Sequence, residues 1–124
     1  MKEEEYDKMS NFRSTRLPVE YRANYRLGDI SDVGLITDIS SGGVALRVKQ
    51  AFAIGDELHI TSRISSDLVL EFSGEVRNME GNIVGIKIKA IDPSIHERFK
   101  DHIAGMLRMA DKREVEQYKS KNDN

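Results

Sequence analysis

Apolar and polar residues alternate from Leu17 to Leu27. Leu17, Val19, Tyr21, Ala23, Tyr25 and Leu27 take one phase, and Pro18, Glu20, Arg22, Asn24 and Arg26 the other. A period of two sends successive side chains to opposite faces, so the segment predicts a half-buried strand. Pro18 has no N–H to give to a ladder, which places it at an edge or entry position. The cluster Gly28–Asp32 predicts a turn, and Val33–Thr37 a short second strand. Val44, Leu46 and Val48 alternate with Ala45, Arg47 and Lys49 and give a third. After Gly55-Asp56 a fourth runs from Glu57 to about Ile64, and Ser65-Ser66-Asp67 turns the chain. Leu70, Phe72, Gly74 and Val76 line one face of a fifth strand. Glu80-Gly81-Asn82 then closes a hairpin into a sixth, Ile83–Lys89. Short strands at this spacing imply a mainly β domain, a small antiparallel barrel or sandwich.

The period changes after the sixth strand. Asp92 suits a helix N-cap and Pro93 the first helical position, while Ser94 with Glu97 offers a competing capping box. Ile95, Phe99, Ile103, Met106, Leu107 and Ala110 form one apolar stripe. A helix is therefore expected over residues 93–112, covering an open end or face of the barrel. Residues 113–124 are almost all polar and are expected as a frayed tail, with helix fraying on to about Tyr118 and disorder from Lys119. Residues 1–11, with the solvated run Glu3-Glu4-Glu5, show no periodicity and are expected as a flexible arm. One domain, 12–112, remains, with its barrel over 17–89 and its helix over 93–112.

Composition narrows the chemistry. The 124 residues suit a single domain, and the 39% hydrophobic content suffices for a core without staples. There is no cysteine, which excludes disulfides, thiolate zinc sites and a Cys nucleophile. Nineteen Lys and Arg face twenty-one Asp and Glu, a net charge of −2. That balance and the 6% aromatic content argue against a nucleic-acid polymer as partner. No apolar run approaches the ~18 residues of a membrane helix. The opening MKEEEYD is acidic and has no apolar core, so it is not a signal peptide and a cytoplasmic location is expected. His59, His96 and His102 are scattered, which makes a metal site unexpected. There is no G-x-S-x-G elbow, P-loop or H-E-x-x-H, so no enzyme is expected.

Two segments carry candidate chemistry. Thr37-Asp38-Ile39-Ser40-Ser41-Gly42-Gly43 is a polar, glycine-containing turn between strands. Taken alone it reads as a β-turn in which Asp and Ser bond their own backbone. It also suits a nucleobase or anion cradle: ionised Asp38 accepts two donors, Ser40 donates and accepts, and Gly43 leaves room for close approach. The second segment is basic. Between Phe12 and Leu27, Arg13, Arg16, Arg22 and Arg26 meet a single acid, Glu20. A guanidinium forks onto phosphate or onto the O6/N7 edge of guanine. Arg22 and Arg26 lie ~13 Å apart along a strand, too far to grip one small group, and read as solvated. Arg13 and Arg16 stand where the arm enters the first strand.

Together these segments resemble the PilZ domain. That family is a six-stranded antiparallel β-barrel with a C-terminal α-helix. It pairs an N-terminal R-x-x-x-R loop with a D-x-S-x-x-G turn. Asp38-Ile39-Ser40-Ser41-Gly42-Gly43 fits the turn fully, within ITDISSGGVALRV. Gly74-Glu75-Val76 and Val84-Gly85-Ile86-Lys87-Ile88 are similar to the family's closing hairpin. Arg16, directly before the first strand, fits the second arginine, but Phe12 stands where the first belongs, and the nearest arginine is Arg13. The resemblance implies the bacterial messenger cyclic di-GMP as ligand, no cofactor, and Arg13, Arg16, Asp38, Ser40 and Gly43 as ligand-binding residues. It implies an arm that orders over the nucleotide and so creates or hides a surface for an effector protein of unknown identity. The alternative it allows is an adaptor with weak or no nucleotide binding, acting by protein contacts in motility or pilus machinery. Oligomeric state is not legible.

Overall fold

A computed structural model describes residues 16–122, and the surroundings of side chains as far as Met109. The expected arm over 1–11, Phe12 and Arg13 lie outside the described residues. Strands β1 (Leu17–Leu27), β2 (Ile30–Ser40), β3 (Gly43–Arg47), β4 (Glu57–Ser65), β5 (Leu68–Glu80) and β6 (Ile83–Ile91) precede one helix, α1 (Pro93–Asn122). The strands close into an antiparallel barrel in the order β1-β2-β3-β6-β5-β4, which decides between barrel and sandwich.

The alternation seen in the sequence is the core. Ala23 and Tyr25 of β1, Leu58, Ile60 and Ile64 of β4, and Leu68, Leu70, Phe72 and Val76 of β5 are buried together. Ser62 also sits on the inner face of β4, with 2% of its surface exposed. Its hydroxyl donates to the Arg22 carbonyl at 2.7 Å. At that level β1 and β4 have parted, since their ladder covers only Asn24–Arg26 against His59–Thr61. A side-chain hydrogen bond thus replaces a missing rung, and a buried hydroxyl keeps a partner.

Several boundaries move. The turn after β1 shrinks to Gly28-Asp29, with Gly28 at φ 57°, and Ile30 already pairs with Leu27. Asp32 falls inside β2 because its carboxylate has strand-compatible partners. It accepts from the Val33 N–H, the Lys49 ammonium and the Gln50 amide at 2.8, 3.0 and 2.9 Å. Those donors hold the Asp32 carboxyl below its ordinary value, the Val33 N–H most of all. β2 also runs on through Asp38 to Ser40, so only Ser41-Gly42 remain as turn. β3 stops at Arg47, and the Val48 N–H bonds the Asn82 carbonyl at 2.8 Å instead of a ladder. β5 starts at Leu68, and β6 continues to Ile91.

The helix begins where expected and ends later. The Asp92 carboxylate accepts the Ser94 N–H at 2.8 Å and the Ile95 N–H at 3.3 Å. The Ser94 hydroxyl donates to the same oxygen at 2.6 Å, so Asp92 is the cap and Ser94 serves it. No Gly or Pro follows Gly105, and the segment expected as a frayed tail from 113 is helical to Asn122. Among the described residues no helix is long and apolar enough to cross a membrane, and no group of His, Asp and Glu is placed to hold a metal.

Each mouth of the barrel has its own plug. At one lie the start of β1, the β2–β3 and β4–β5 turns and the end of β6. There α1 docks, and Phe99 and Ile103 join the core. At the other, the segment after β3 inserts Phe52, whose ring meets Tyr25 edge-on at 6.0 Å. The Gly55 N–H and the Asp56 carbonyl clamp that segment onto the backbone of Val76, both at 2.8 Å.

Candidate ligand site

Asp38 and Ser40 stand at the end of β2, Gly43 opens β3, and Arg16 immediately precedes β1. Strict alternation would turn Asp38 inward with buried Ile36. A bulge prevents this: Ile36 pairs with Leu46 and Asp38 with Ala45, leaving Thr37 as the extra residue. The phase resets, Ile39 becomes the buried residue, and Asp38 faces a cleft. Arg16 Nη1 lies 3.4 Å from Asp38 Oδ1, and the Arg16 side chain is 60% exposed. An exposed pair at that separation is weak, so either partner can be taken up by a ligand at little cost. The Ser40 hydroxyl donates to the Gly43 carbonyl at 3.3 Å.

The cleft has a volume of about 260 Å³ and a second wall. Arg77 and Asn78 of β5 and Gly85, Ile86 and Lys87 of β6 face the β2–β3 turn across it. Here too a bulge does the aiming. Val76 pairs with Ile86 and Asn78 with Gly85, so Arg77 is the extra residue. Arg77 lies 3.6 Å from Glu75, which also meets Lys89 at 3.4 Å. Arg16, Arg77 and Lys87 are three cations around one carboxylate, Asp38. The volume is below the ~300–1,000 Å³ of pockets that enclose a small ligand. The cleft therefore grips part of a ligand and leaves the rest open. It offers an acceptor for base N–H groups and cations for phosphate.

Gly43 turns out to have a packing duty. A Cβ there would run into the Ile86 carbonyl, so its missing side chain lets β3 lie against β6. Gly43 itself also lines the cleft. Gly85 acts similarly toward the Asn78 amide, which a Cβ would meet at 2.7 Å.

Of the residues singled out in the sequence, Arg16, Asp38, Ser40 and Gly43 converge on this cleft, and Arg13 lies outside the described residues. Arg22 lines a separate depression on the barrel wall with Thr61 and Arg63. Arg26 pairs across the ladder with His59, which bonds Glu71 at 2.9 Å. Arg77, Asn78 and Lys87 were not anticipated. One signal was present: the inward series Leu70, Phe72, Gly74, Val76 meets Asn78 and resumes only at Met79. A slip of one in a strand's phase marks a bulge.

A PilZ domain family model matches residues 7–105. No curated protein matches the sequence. Among solved structures, the Bacillus subtilis inhibitor of motility MotI/DgrA is similar at 16% identity with a TM-score of 0.68, over 77% of this chain and 51% of that one. The PilZ domain of YcgR from Escherichia coli, solved with cyclic di-GMP, is similar at 16% identity with a TM-score of 0.64, over 83% of this chain and 96% of that one. A longer YcgR chain, also in complex with cyclic di-GMP, gives 15% identity and a TM-score of 0.71, over 84% of this chain and 49% of that one. This chain thus spans about half the length of MotI/DgrA and of that YcgR chain. At these identities the likeness speaks for the fold.

Proposed function

Because the chain belongs to the PilZ domain family, we propose that it is a receptor for cyclic di-GMP that switches a protein-interaction surface. The observation that carries this reading is the cleft. It sets Asp38 and Ser40 against Arg16 on one side and against Arg77 and Lys87 on the other. Cyclic di-GMP brings two guanines and two phosphates. Asp38 accepts from the N–H edge of one guanine, and Ser40 adds a hydroxyl contact. Arg16 leaves its loose pair with Asp38 to fork onto the O6/N7 edge or a phosphate. Lys87 and Arg77 neutralise phosphate from the far wall. Gly43 acts indirectly by closing β3 onto β6. Arg13 joins from the arm, and ordering of the arm over the nucleotide is the switch that an effector protein reads. The YcgR structures with cyclic di-GMP support the ligand, and the name of MotI/DgrA supports motility as the regulated process.

Calorimetry with cyclic di-GMP, and GMP as control, tests the reading. Arg16→Ala and Asp38→Ala each remove a charged contact and should weaken binding roughly ten- to a hundredfold. Arg22→Ala, on the separate depression, should leave it unchanged. No heat at high-micromolar ligand would sink the receptor reading. A second reading then takes its place, that of an adaptor acting by protein contacts without the nucleotide. Phe12, in the position of the family's first arginine, is the observation that favours it.

A further inference from the structure

The turn that carries Asp38 and Ser40 and the strand that Arg16 leads into both touch α1. His96, in the first turns of α1, lies 2.9 Å through Nε2 from the Ser41 carbonyl, 55 positions away in sequence. A carbonyl only accepts, so His96 carries a proton on Nε2 and donates. Ser41 links Ser40 to Gly42, and the Gly42 carbonyl accepts the Ile88 N–H at 2.9 Å. The whole turn between β2 and β3 thus hangs on α1 and β6. Further along α1, His102 Nε2 lies 3.1 Å from the Tyr21 hydroxyl, which also reaches Met106 Sδ at 3.8 Å. Tyr21 belongs to β1, the strand that Arg16 leads into. Six helical positions separate the histidines by roughly 240° around the axis. That spacing suits no metal, but it lets one helix tie two different walls.

We propose that docking of α1 is coupled to the ligand cleft, with His96 as the positioning residue that holds the Ser41 carbonyl and thereby the aim of Asp38 and Ser40. The identity of the ligand rests on the receptor reading; the coupling is a property of the free chain. Linkage makes it reciprocal: a ligand that tightens the turn tightens the docking of α1 by the same factor. α1, which continues to Asn122, is then the element that moves with occupancy.

Amide hydrogen exchange on the full, ligand-free chain tests this. His96→Ala should speed exchange over residues 38–43 and over the first turns of α1, about three- to tenfold for a lost hydrogen bond. His96→Gln, whose amide nitrogen reaches the same place, should restore it. Arg98→Ala is the control. It frees α1 from the Asp67 carbonyl at a corner that carries no cleft residue, and should leave 38–43 unchanged. Wild-type exchange over 38–43 in His96→Ala, no recovery with Gln, or equal acceleration by Arg98→Ala would each overturn the proposal. With saturating cyclic di-GMP, exchange around His96 should slow by a similar factor, and His96→Ala should bind three- to tenfold more weakly. If the wild type binds no cyclic di-GMP, the receptor reading fails while the ligand-free comparison still decides the coupling.

Discussion

At the mouth away from α1, Phe52 closes the barrel beneath a polar network that satisfies itself. The Tyr25 hydroxyl donates to Gln50 at 2.6 Å and accepts the Lys49 N–H at 3.1 Å. Gln50 and the Lys49 ammonium in turn satisfy Asp32. At the α1 mouth, Phe99 closes the barrel, but charges that line the cleft are held loosely. Arg16 holds Asp38 loosely, and Lys87 forms no ion pair among the described residues. Both mouths are plugged by an aromatic ring, and both tether a tyrosine hydroxyl. The difference lies in where the charges spend their hydrogen bonds. A network closed on itself stabilises the fold and has nothing to offer a ligand. Charges held loosely at a cleft cost the fold little and can be transferred to a ligand.

The largest test of this contrast removes the plugs. Phe99 is fully buried, and Phe99→Ala should cost about 3–5 kcal/mol in urea unfolding, with Phe52→Ala at or below the low end of that range. Both variants should lose apparent affinity in proportion to the folded fraction, and only Phe99→Ala should weaken cyclic di-GMP binding beyond it; equal weakening by both after that correction would erase the distinction. Next comes Gly43→Ala, which forces a Cβ onto the Ile86 carbonyl and opens the β3–β6 ladder. A loss of about 1–3 kcal/mol is expected for such overpacking, measured by thermal melting. An unchanged melting point with binding abolished would return Gly43 to the ligand. Tyr25→Phe strands Gln50 and the Lys49 N–H, for about 1–2 kcal/mol. Calorimetry should find its nucleotide affinity intact.

The smallest expected effect is on acid stability. Asp32 at one mouth and Asp92 at the other have carboxyls held below the ordinary 3.8, Asp32 chiefly by the Val33 N–H and Asp92 chiefly by the Ser94 hydroxyl. A folded-state value below the unfolded one adds stability that is complete above the unfolded value. It is lost as pH falls through the folded one. Melting temperature should therefore drop on acidification through the ordinary carboxylate range. Asp32→Asn and Asp92→Asn should each make that drop shallower, and only Asp92→Asn should act on α1. A slope indifferent to both substitutions would show that neither carboxylate matters.

Much of this was legible along the chain. β1 carries its own boundaries, Leu17 and Leu27, because strict alternation meets a glycine turn. Asp92-Pro93 marks the start of α1 because capping is a local affair of three residues. The sequence pattern confines β2 to Val33–Thr37 because Asp32, Asp38 and Ser40 are turn-forming types. What keeps Asp32 and Asp38 in a strand lies on other segments: Lys49 and Gln50 for Asp32, and pairing with Ala45 of β3 for Asp38. The role of His96 is hidden for the same reason, since its partner is a backbone carbonyl that no sequence pattern records.

Strand count, the reach of the β1 pattern and the cap of α1 belong to the sequence by itself, because each rests on the spacing of near neighbours, which the covalent chain sets. The group Arg16, Asp38, Ser40 and Gly43 was legible only through the family resemblance, since Arg16 stands 22 positions from Asp38. The second wall of the cleft belongs to the tertiary structure. Arg77, Asn78 and Lys87 face Asp38 because β3 pairs with β6 rather than with β4, and because a bulge re-aims β5. Pairing between strands far apart in the chain is chosen by the closure of the whole barrel around one core, and that choice exists only in three dimensions.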